Sequence, residues 1–235
     1  MKKIILIGSR GFIGRYINLE LIRNRNFIIY EGYKEKINIC KKRSFETALN
    51  KIKPDYIINT AAFSHLDPIP NSEIFKINCN AVIDMIEILE KIKFQGKFIN
   101  TSSALIYGNS SKRKISETDN YNSKYVYAIA KAAVDSIIDE LDSELNIISA
   151  RPFNCIGVGH RNNYLVPKII HHFKNKKKSI TLGNINSNRD YIDVRDVARM
   201  YYKIMLTKKK LRSYNLCSGK SYSAKDIIRI VEGIT

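Results

Sequence analysis

Apolar residues fall in short blocks along the first 150 positions, and the blocks alternate with stretches of helical period. Lys3–Ile7 is a β-rich run that stops at Gly8, and a helical stretch follows to about Arg23. Phe27–Glu31 reads as a second strand and Phe45–Lys51 as a helix, and Pro54 leads into a buried strand at Tyr56–Asn59. Ser72–Lys91 has helical periodicity, with Ile74, Ile77, Ala81, Met85, Ile88 and Ile92 near one face. Lys97–Thr101 is a strand, Tyr125–Leu141 a helix and Asn146–Ala150 a strand. This alternation predicts an α/β fold, a parallel sheet covered on both faces by helices.

The later pattern is less regular. Arg151–Asn163 carries Pro152, Gly157 and Gly159 and reads as a long turn-rich segment. Tyr164–Phe173 is expected to be a helix, and Ser179–Leu182, Arg189–Ile192 and Ser213–Leu216 short strands. Asp193–Leu206 and Ser223–Val231 are further helices, the last with Ser223 as N-cap. No linker separates two domains. The division expected is a core of residues 1–153 and 190–217, with a small lobe assembled from 154–189 and 218–235.

Composition narrows the class. The 235 residues suffice for one large domain, or one domain plus a lobe, and 44% hydrophobic with 26% charged residues is a globular balance. No apolar run approaches the ~20 residues that span a bilayer. The apolar start ends at Ile7 with Arg10 close behind, too short for a secretory signal. Cys40, Cys79, Cys155 and Cys217 are far apart and form no CxxC, which argues against a disulfide framework or a zinc site and for free thiols in a cytoplasmic protein.

Charge adds less than its size suggests. Lys plus Arg number 40 and Asp plus Glu 22, a net +18. That raises nucleic acid or an anionic small molecule as a partner. The basic clusters at 41–43, 112–114, 174–178 and 208–210 are separated, and no basic stripe is interleaved with aromatics. The distribution weighs against single-strand binding. A dehydrogenase-fold protein that binds RNA or senses a nucleotide without turnover stays as the reading from another class.

Chemistry first appears at Gly8-Ser-Arg-Gly11-Phe12-Ile13-Gly14, between the first strand and first helix. Gly8 allows a tight turn, Gly11 a close backbone approach to a pyrophosphate, and Gly14 close packing of helix on sheet. The helix N-terminus then offers N–H groups to phosphate. A carboxylate at the end of the second strand would bind an adenosine ribose and favour NAD. Glu31 stands near that place, with Gly32 there instead if the strand shifts by one. Arg10 in the loop, with help from Lys34, would pair with a 2′-phosphate, which tips the choice to NADP.

A second constellation lies downstream. Tyr127-Ala-Ile-Ala-Lys131 puts a phenol and an amine four residues apart on one helix face, and Thr101-Ser102-Ser103 lies just past a strand. Carbonyl–carbinol chemistry needs a proton donor at the substrate oxygen. A phenol near pKa ~10 is expected to be brought down by a neighbouring ammonium and a positively charged nicotinamide, with Ser103 holding the same oxygen.

Taken in order, these pieces resemble the extended short-chain dehydrogenases, the NAD(P)-dependent epimerase/dehydratase family acting on nucleotide-activated sugars. The matching segments are Gly8–Gly14; Asn59-Thr60-Ala61-Ala62; Ser64-His65; Asn78-Cys79-Asn80; Ser102-Ser103 to Tyr107-Gly108; Tyr127 to Lys131; Arg151-Pro152-Phe153-Asn154; Arg189 to Val197; and Tyr214 to Gly219. The resemblance implies a Rossmann-type doubly wound parallel sheet, with Ser103, Tyr127 and Lys131 as catalytic trio and Lys131 also on the nicotinamide ribose. It adds Ala61, Ala62 and Asn78 to the cofactor side. It puts Ser64, Ser103, Asn154 and Arg189 on the sugar nucleotide, a GDP-, dTDP-, CDP- or UDP-linked hexose. Arg189 carries a second reading as a salt bridge to Asp190 or Asp193, and Asn78 one as a helix-face amide bonded to backbone. His65 takes a structural role beside the cofactor. A homodimer is expected.

Within the family, dehydratases carry acidic residues just after the active Ser or Thr, where this chain has Ala104 and Leu105. Dehydration is therefore disfavoured. The runs Arg151 to Gly159, Leu165-Val166-Pro167-Lys168 and Gly183-Asn184-Ile185 are most similar to reductases of GDP-4-keto-6-deoxymannose. The expected reaction is reduction of a 4-keto-6-deoxyhexose, with 4-epimerisation as the alternative. Relatives normally continue well past the Tyr214–Gly219 segment, so a truncated substrate lobe is expected.

Overall fold

The computed structural model describes residues 1–110, 114–141, 145–209 and 211–234. The basic runs at 112–114 and 208–210 lie partly outside them. In chain order the elements are β1 (Lys2–Ile7), α1 (Phe12–Arg23), β2 (Phe27–Glu31), α2 (Lys42–Ile52), β3 (Tyr56–Asn59) and α3 (Asn71–Phe75). A π-helical turn (Lys76–Asn80) joins α3 to α4 (Ala81–Lys91), and then come β4 (Lys97–Thr101), a 3-10 turn (Ala104–Tyr107), α5 (Val126–Glu140) and β5 (Asn146–Pro152). The rest comprises β6 (Asn154–Ile156), α6 (Leu165–Lys174), β7 (Arg189–Asp193), α7 (Val194–Leu206), β8 (Ser213–Leu216), β9 (Ser221–Tyr222) and α8 (Ala224–Glu232).

Side chains alternate across β1 because successive Cβ atoms in a strand point to opposite faces. Ile4 and Leu6 pack with Ile58, Ile99 and Ile148 against Ile17 and Leu21 of α1 and Val197 and Tyr201 of α7. Ile5 and Ile7 pack with Ile57, Phe98 and Ile147 against α2, α4 and α5. The sheet between these two cores is six-stranded, in the order β2-β1-β3-β4-β5-β8, and every pairing is parallel. The doubly wound, Rossmann-type reading is thus correct. The order reverses about β1, so the crevice where ligands bind in such sheets lies outside the carboxyl ends of β1 and β3.

Three expectations are corrected. The stretch 151–163 is not all turn: β5 runs on through Pro152, and Asn154–Ile156 is a strand. Pro152 is tolerated because β4 pairs with β5 only as far as Thr101↔Ala150, so no partner there needs an N–H from position 152. Ser179–Leu182 is not a strand. In the small sheet β7 already has β6 on one side and β9 on the other, so it offers no edge, and Thr181 O accepts from Lys168 Nζ at 2.7 Å instead. Finally, Ser72–Lys91 is not one regular helix, because the π turn inserts at Lys76–Asn80.

The second sheet, in the order β6-β7-β9, has its own apolar centre, where Val166 and Ile169 of α6 meet Ile227 of α8, with Tyr191 and Tyr222 against them. Helix α8 begins with a reciprocal cap: Ser223 Oγ accepts from Asp226 N, and Asp226 accepts from Ser223 N at 2.9 Å. Among the described residues, no helix is long and apolar enough to cross a membrane.

Candidate active site

Four strand ends carry residues named above. At the carboxyl end of β1 the chain turns through Gly8, at φ +79°, into α1. A Cβ on Gly8 would lie 2.6 Å from Ala61 N, and one on Gly14 would lie 2.1 Å from Gly8 O, so the fold itself requires glycine at both positions. Gly11 differs. Its φ is −70° and a Cβ there would meet only Gly8 O, at 3.2 Å. Helix α1 carries no side-chain cap at Gly11 and no acidic residue in its first turn. Its leading N–H groups and the positive end of the helix dipole are thus available to an anion. The loop, including Phe12 and Ile13, fits a pyrophosphate.

The end of β2 settles a register. Leu6 pairs with Glu31, which closes the strand, and Gly32 lies beyond it. Glu31 forms an ion pair with Lys34 Nζ at 2.5 Å, and Lys34 is the main cause holding the Glu31 carboxyl below the usual range. Arg10 is exposed, with its guanidinium 5.4 Å from the centre of the Tyr33 ring. Both carboxylate and guanidinium therefore stand at the edge where an adenosine ribose would lie.

The loop after β3 is held from below. Asn59 Oδ1 accepts from Ala61 N at 3.1 Å, and Asn59 Nδ2 donates to Asn100 Oδ1 at 3.0 Å. Ala62 is exposed beside it. Asn78 is a correction. It is fully buried in the π turn, and its amide binds both the N–H and the carbonyl of Phe63, each at 2.9 Å. Its hydrogen bonding is spent on the loop carrying Ala61 and Ala62, so it supports that loop and does not face a cofactor.

The catalytic candidates meet where β4 and α5 come together. Ser103 caps the 3-10 turn, its Oγ accepting from Leu105 N at 3.2 Å. Tyr127 sits half-buried in the first turn of α5, near enough to Ser103 to feel its hydroxyl. Burial pushes the Tyr127 phenol up to about 12, against the opposing effect of Ser103. Lys131, one turn on, is 1% exposed and donates from Nζ to Thr101 O at 2.7 Å. Burial lowers it to about 8, while Asp135 and Cys79 pull the other way. The expected lowering of the phenol is therefore not met by the chain's own groups, because desolvation outweighs them.

The segment after β6 closes the cleft from the other side. Val158 O accepts from Arg15 Nη2 at 2.6 Å and from the Tyr16 hydroxyl at 2.9 Å. The His160 ring stacks on Phe12 with centroids 4.3 Å apart and lies 4.1 Å from Tyr164. Arg161 reaches across to Asp67 Oδ1 at 2.5 Å and Ser64 Oγ at 2.8 Å. Ser64 is thus bound by protein, and His65 lies between Tyr127 and Tyr164, at ring distances of 5.9 and 5.8 Å. These cross-chain partners left no mark in the sequence beyond the turn-forming Gly157 and Gly159.

Asn154 and Arg189 lie together on the small sheet. Asn154 Nδ2 donates to Asp190 O at 2.9 Å, and Arg189 Nη1 donates to Asn188 O at 2.8 Å. The alternative salt-bridge reading of Arg189 fails because both carboxylates are engaged elsewhere: Asp190 accepts from Ser218 and Gly219, and Asp193 binds Arg195. Arg189 borders a cleft of about 270 Å³ that Leu165, Leu182, Asn184 and Tyr191 also line.

Comparison with known proteins agrees with this fold. Residues 4–217 match the NAD dependent epimerase/dehydratase family. GDP-6-deoxy-D-talose 4-dehydrogenase of Aggregatibacter actinomycetemcomitans is 29% identical over 233 residues, which covers 97% of this chain and 79% of that protein. GDP-6-deoxy-D-mannose reductase of Pseudomonas aeruginosa is 21% identical over 247 residues, 99% of this chain and 80% of that one. Among solved structures, RMD from Pseudomonas aeruginosa complexed with NADPH superposes with a TM-score of 0.85 at 21% identity, covering 100% of this chain and 82% of that one. UDP-glucose 4-epimerase of Thermotoga maritima with UDP-glucose gives 0.85 at 21% identity over 99% and 82%.

Proposed function

The chain belongs to the NAD dependent epimerase/dehydratase family, and from that premise we propose that it reduces the 4-keto group of a nucleotide-linked 4-keto-6-deoxyhexose. The observation that carries this reading is the pair Ser103–Tyr127 at the sheet's carboxyl end, with Ala104 and Leu105 following Ser103, where neither side chain can transfer a proton. The two GDP-sugar oxidoreductases among the relatives support it.

When bound, the nicotinamide supplies hydride to the sugar carbonyl carbon. The pyrophosphate would lie on the N–H groups opening α1, beside Gly11, and Lys131 would hold the ribose. A phenol near 12 is protonated throughout the neutral range, so Tyr127 would stand ready to give its hydroxyl proton to the carbonyl oxygen as negative charge grows there. Ser103 would donate to the same oxygen from a position already fixed by the 3-10 turn. Arg189 and Asn154 would hold the sugar nucleotide, since a guanidinium fork matches a diphosphate bidentately. For the cofactor, Arg10 supports the 2′-phosphate of NADP, against Glu31, which the β2 register puts at the strand end where a carboxylate supports NAD.

The test is a panel of nucleotide-linked 4-keto-6-deoxyhexoses with NADPH and with NADH, followed at the nicotinamide absorbance. A reductase consumes one reduced cofactor per sugar. Interconversion of epimers with no net consumption would replace this reading by 4-epimerisation, and no turnover of any sugar nucleotide would move the non-enzymatic alternative ahead.

Three variants check the placement of the two ligands. Gly11→Val is expected to fold, because φ there suits any residue and a Cβ would meet only Gly8 O, at 3.2 Å, and to lose dinucleotide binding in isothermal titration. Equal affinity in the two proteins would remove the pyrophosphate from this loop. Arg10→Ala is expected to weaken NADP more than NAD, and equal weakening would remove the preference. Arg189→Ala is expected to raise the KM for the sugar nucleotide with cofactor affinity near normal. A collapse of cofactor binding would mean that the two sites are wrongly separated.

A further inference from the structure

Behind the candidate trio lies a buried charge cluster that none of the roles above uses. Tyr127, Lys131 and Asp135 recur at four-residue steps along α5, so they share one face of the helix. Asp135 and Arg151 are both fully buried, and Arg151 Nε binds Asp135 Oδ2 at 2.7 Å. Ser149 Oγ donates to Asp135 Oδ1 at 2.6 Å. From β5, Arg151 also reaches the other wall of the site. Its Nη1 donates to the Tyr107 hydroxyl and to Glu117 O, both at 2.8 Å, and its Nη2 to the Tyr121 hydroxyl at 2.5 Å. Tyr107 closes the 3-10 turn that Ser103 opens.

We propose that Asp135 and Arg151 form a positioning unit for the active site: Asp135 supplies the counter-charge that keeps Lys131 an ammonium, and Arg151 clamps the Ser103 turn to the helix carrying Tyr127. The proposal rests on the reading of Tyr127 and Lys131 given above. Three elements face the Lys131 amine, and a fourth stands behind them. Asp135 lies on its own helix, Cys79 comes from the π turn, Thr101 O from β4, and Arg151 stands behind Asp135 on β5. Of these, Asp135 is the carboxylate, and it acts on Lys131 against the effect of burial. A buried ammonium that lost this counter-charge would give up its proton at a lower pH.

The experiment follows Lys131 directly, without turnover. The chain is labelled with 13C-lysine, the Lys131 Cε resonance is assigned by its loss in Lys131→Arg, and its titration is recorded by NMR. In Asp135→Asn the midpoint is expected to fall by at least one pH unit, and the alkaline limb of the kcat profile to move down with it. Asp135→Glu keeps the charge and should restore both. Because Asp135→Asn leaves Arg151 buried without its carboxylate, the double variant Asp135→Asn/Arg151→Met is measured as well. Removing both charges of a buried pair is tolerated far better than removing one, and a smaller downward shift is expected, because the repelling Arg151 charge goes with the nearer carboxylate. A Lys131 midpoint unmoved in either folded variant overturns the proposal. A shifted midpoint with an unmoved kcat limb would keep the counter-charge role and instead overturn the assignment of Lys131 to the reaction.

Discussion

Tyr127→Phe is expected to lower kcat by at least ~10²-fold, the usual contribution of a positioned general acid, while folding and cofactor affinity survive. The substitution removes one hydroxyl and keeps the ring, so the tilted contact with His65 at 5.9 Å is preserved. What disappears is the phenol hydroxyl that Ser103 influences at the end of β4. Single-turnover measurement with a 4-keto-6-deoxyhexose nucleotide and saturating reduced cofactor isolates the chemical step. Isothermal titration of the cofactor against the same variant provides the control. A wild-type rate would remove Tyr127 from the chemistry, and with it the reductase reading. A loss of cofactor binding equal to the loss in rate would make the residue part of the binding site alone.

Arg151→Ala is expected to cost about 3–5 kcal/mol of folding stability, because breaking a buried pair leaves an uncompensated charge. For a chain of this length that corresponds to a drop in Tm on the order of 10 °C. The loss is concentrated on Asp135, whose carboxyl burial drives upward and Arg151 holds down. Tyr107 and Glu117 O lose a donor at the same stroke, and the stretch carrying them is loosened from β5. Urea unfolding followed by circular dichroism measures the effect. The Asp135→Asn/Arg151→Met double variant should be more stable than Arg151→Ala. If the single variant unfolds within 1 kcal/mol of wild type, the cluster is not a buried network in solution.

Most of the sheet was legible in the sequence because its strands are buried on both faces. A strand covered on both sides is apolar at its centre, and Ile4 to Ile7, Ile57 with Ile58 and Phe98 with Ile99 stand out for that reason. The glycine loop was legible because it sits between a strand and a helix and because Gly8 and Gly14 answer local steric demands. Tyr127 and Lys131 were legible because their spacing is a property of one helix. The Ser179–Leu182 strand was misread because a β-rich run becomes a strand only where a sheet edge is open, and β7 has none. The continuation of β5 through Pro152 was missed because tolerance of proline depends on where the neighbouring β4 ends.

The sequence by itself determined the doubly wound fold, the glycine turn between β1 and α1 and the Tyr–Lys pair, since each depends on residues near one another along the chain. Only the tertiary structure decided what surrounds them. It turned Asn78 inward onto Phe63, joined Arg161 to Asp67 across 94 residues, and put Arg151 behind Lys131 through Asp135. It also decided that desolvation, more than any neighbouring charge, sets the Tyr127 phenol and the Lys131 amine. Burial and long-range pairing exist only once distant segments pack together, and no local spacing encodes them.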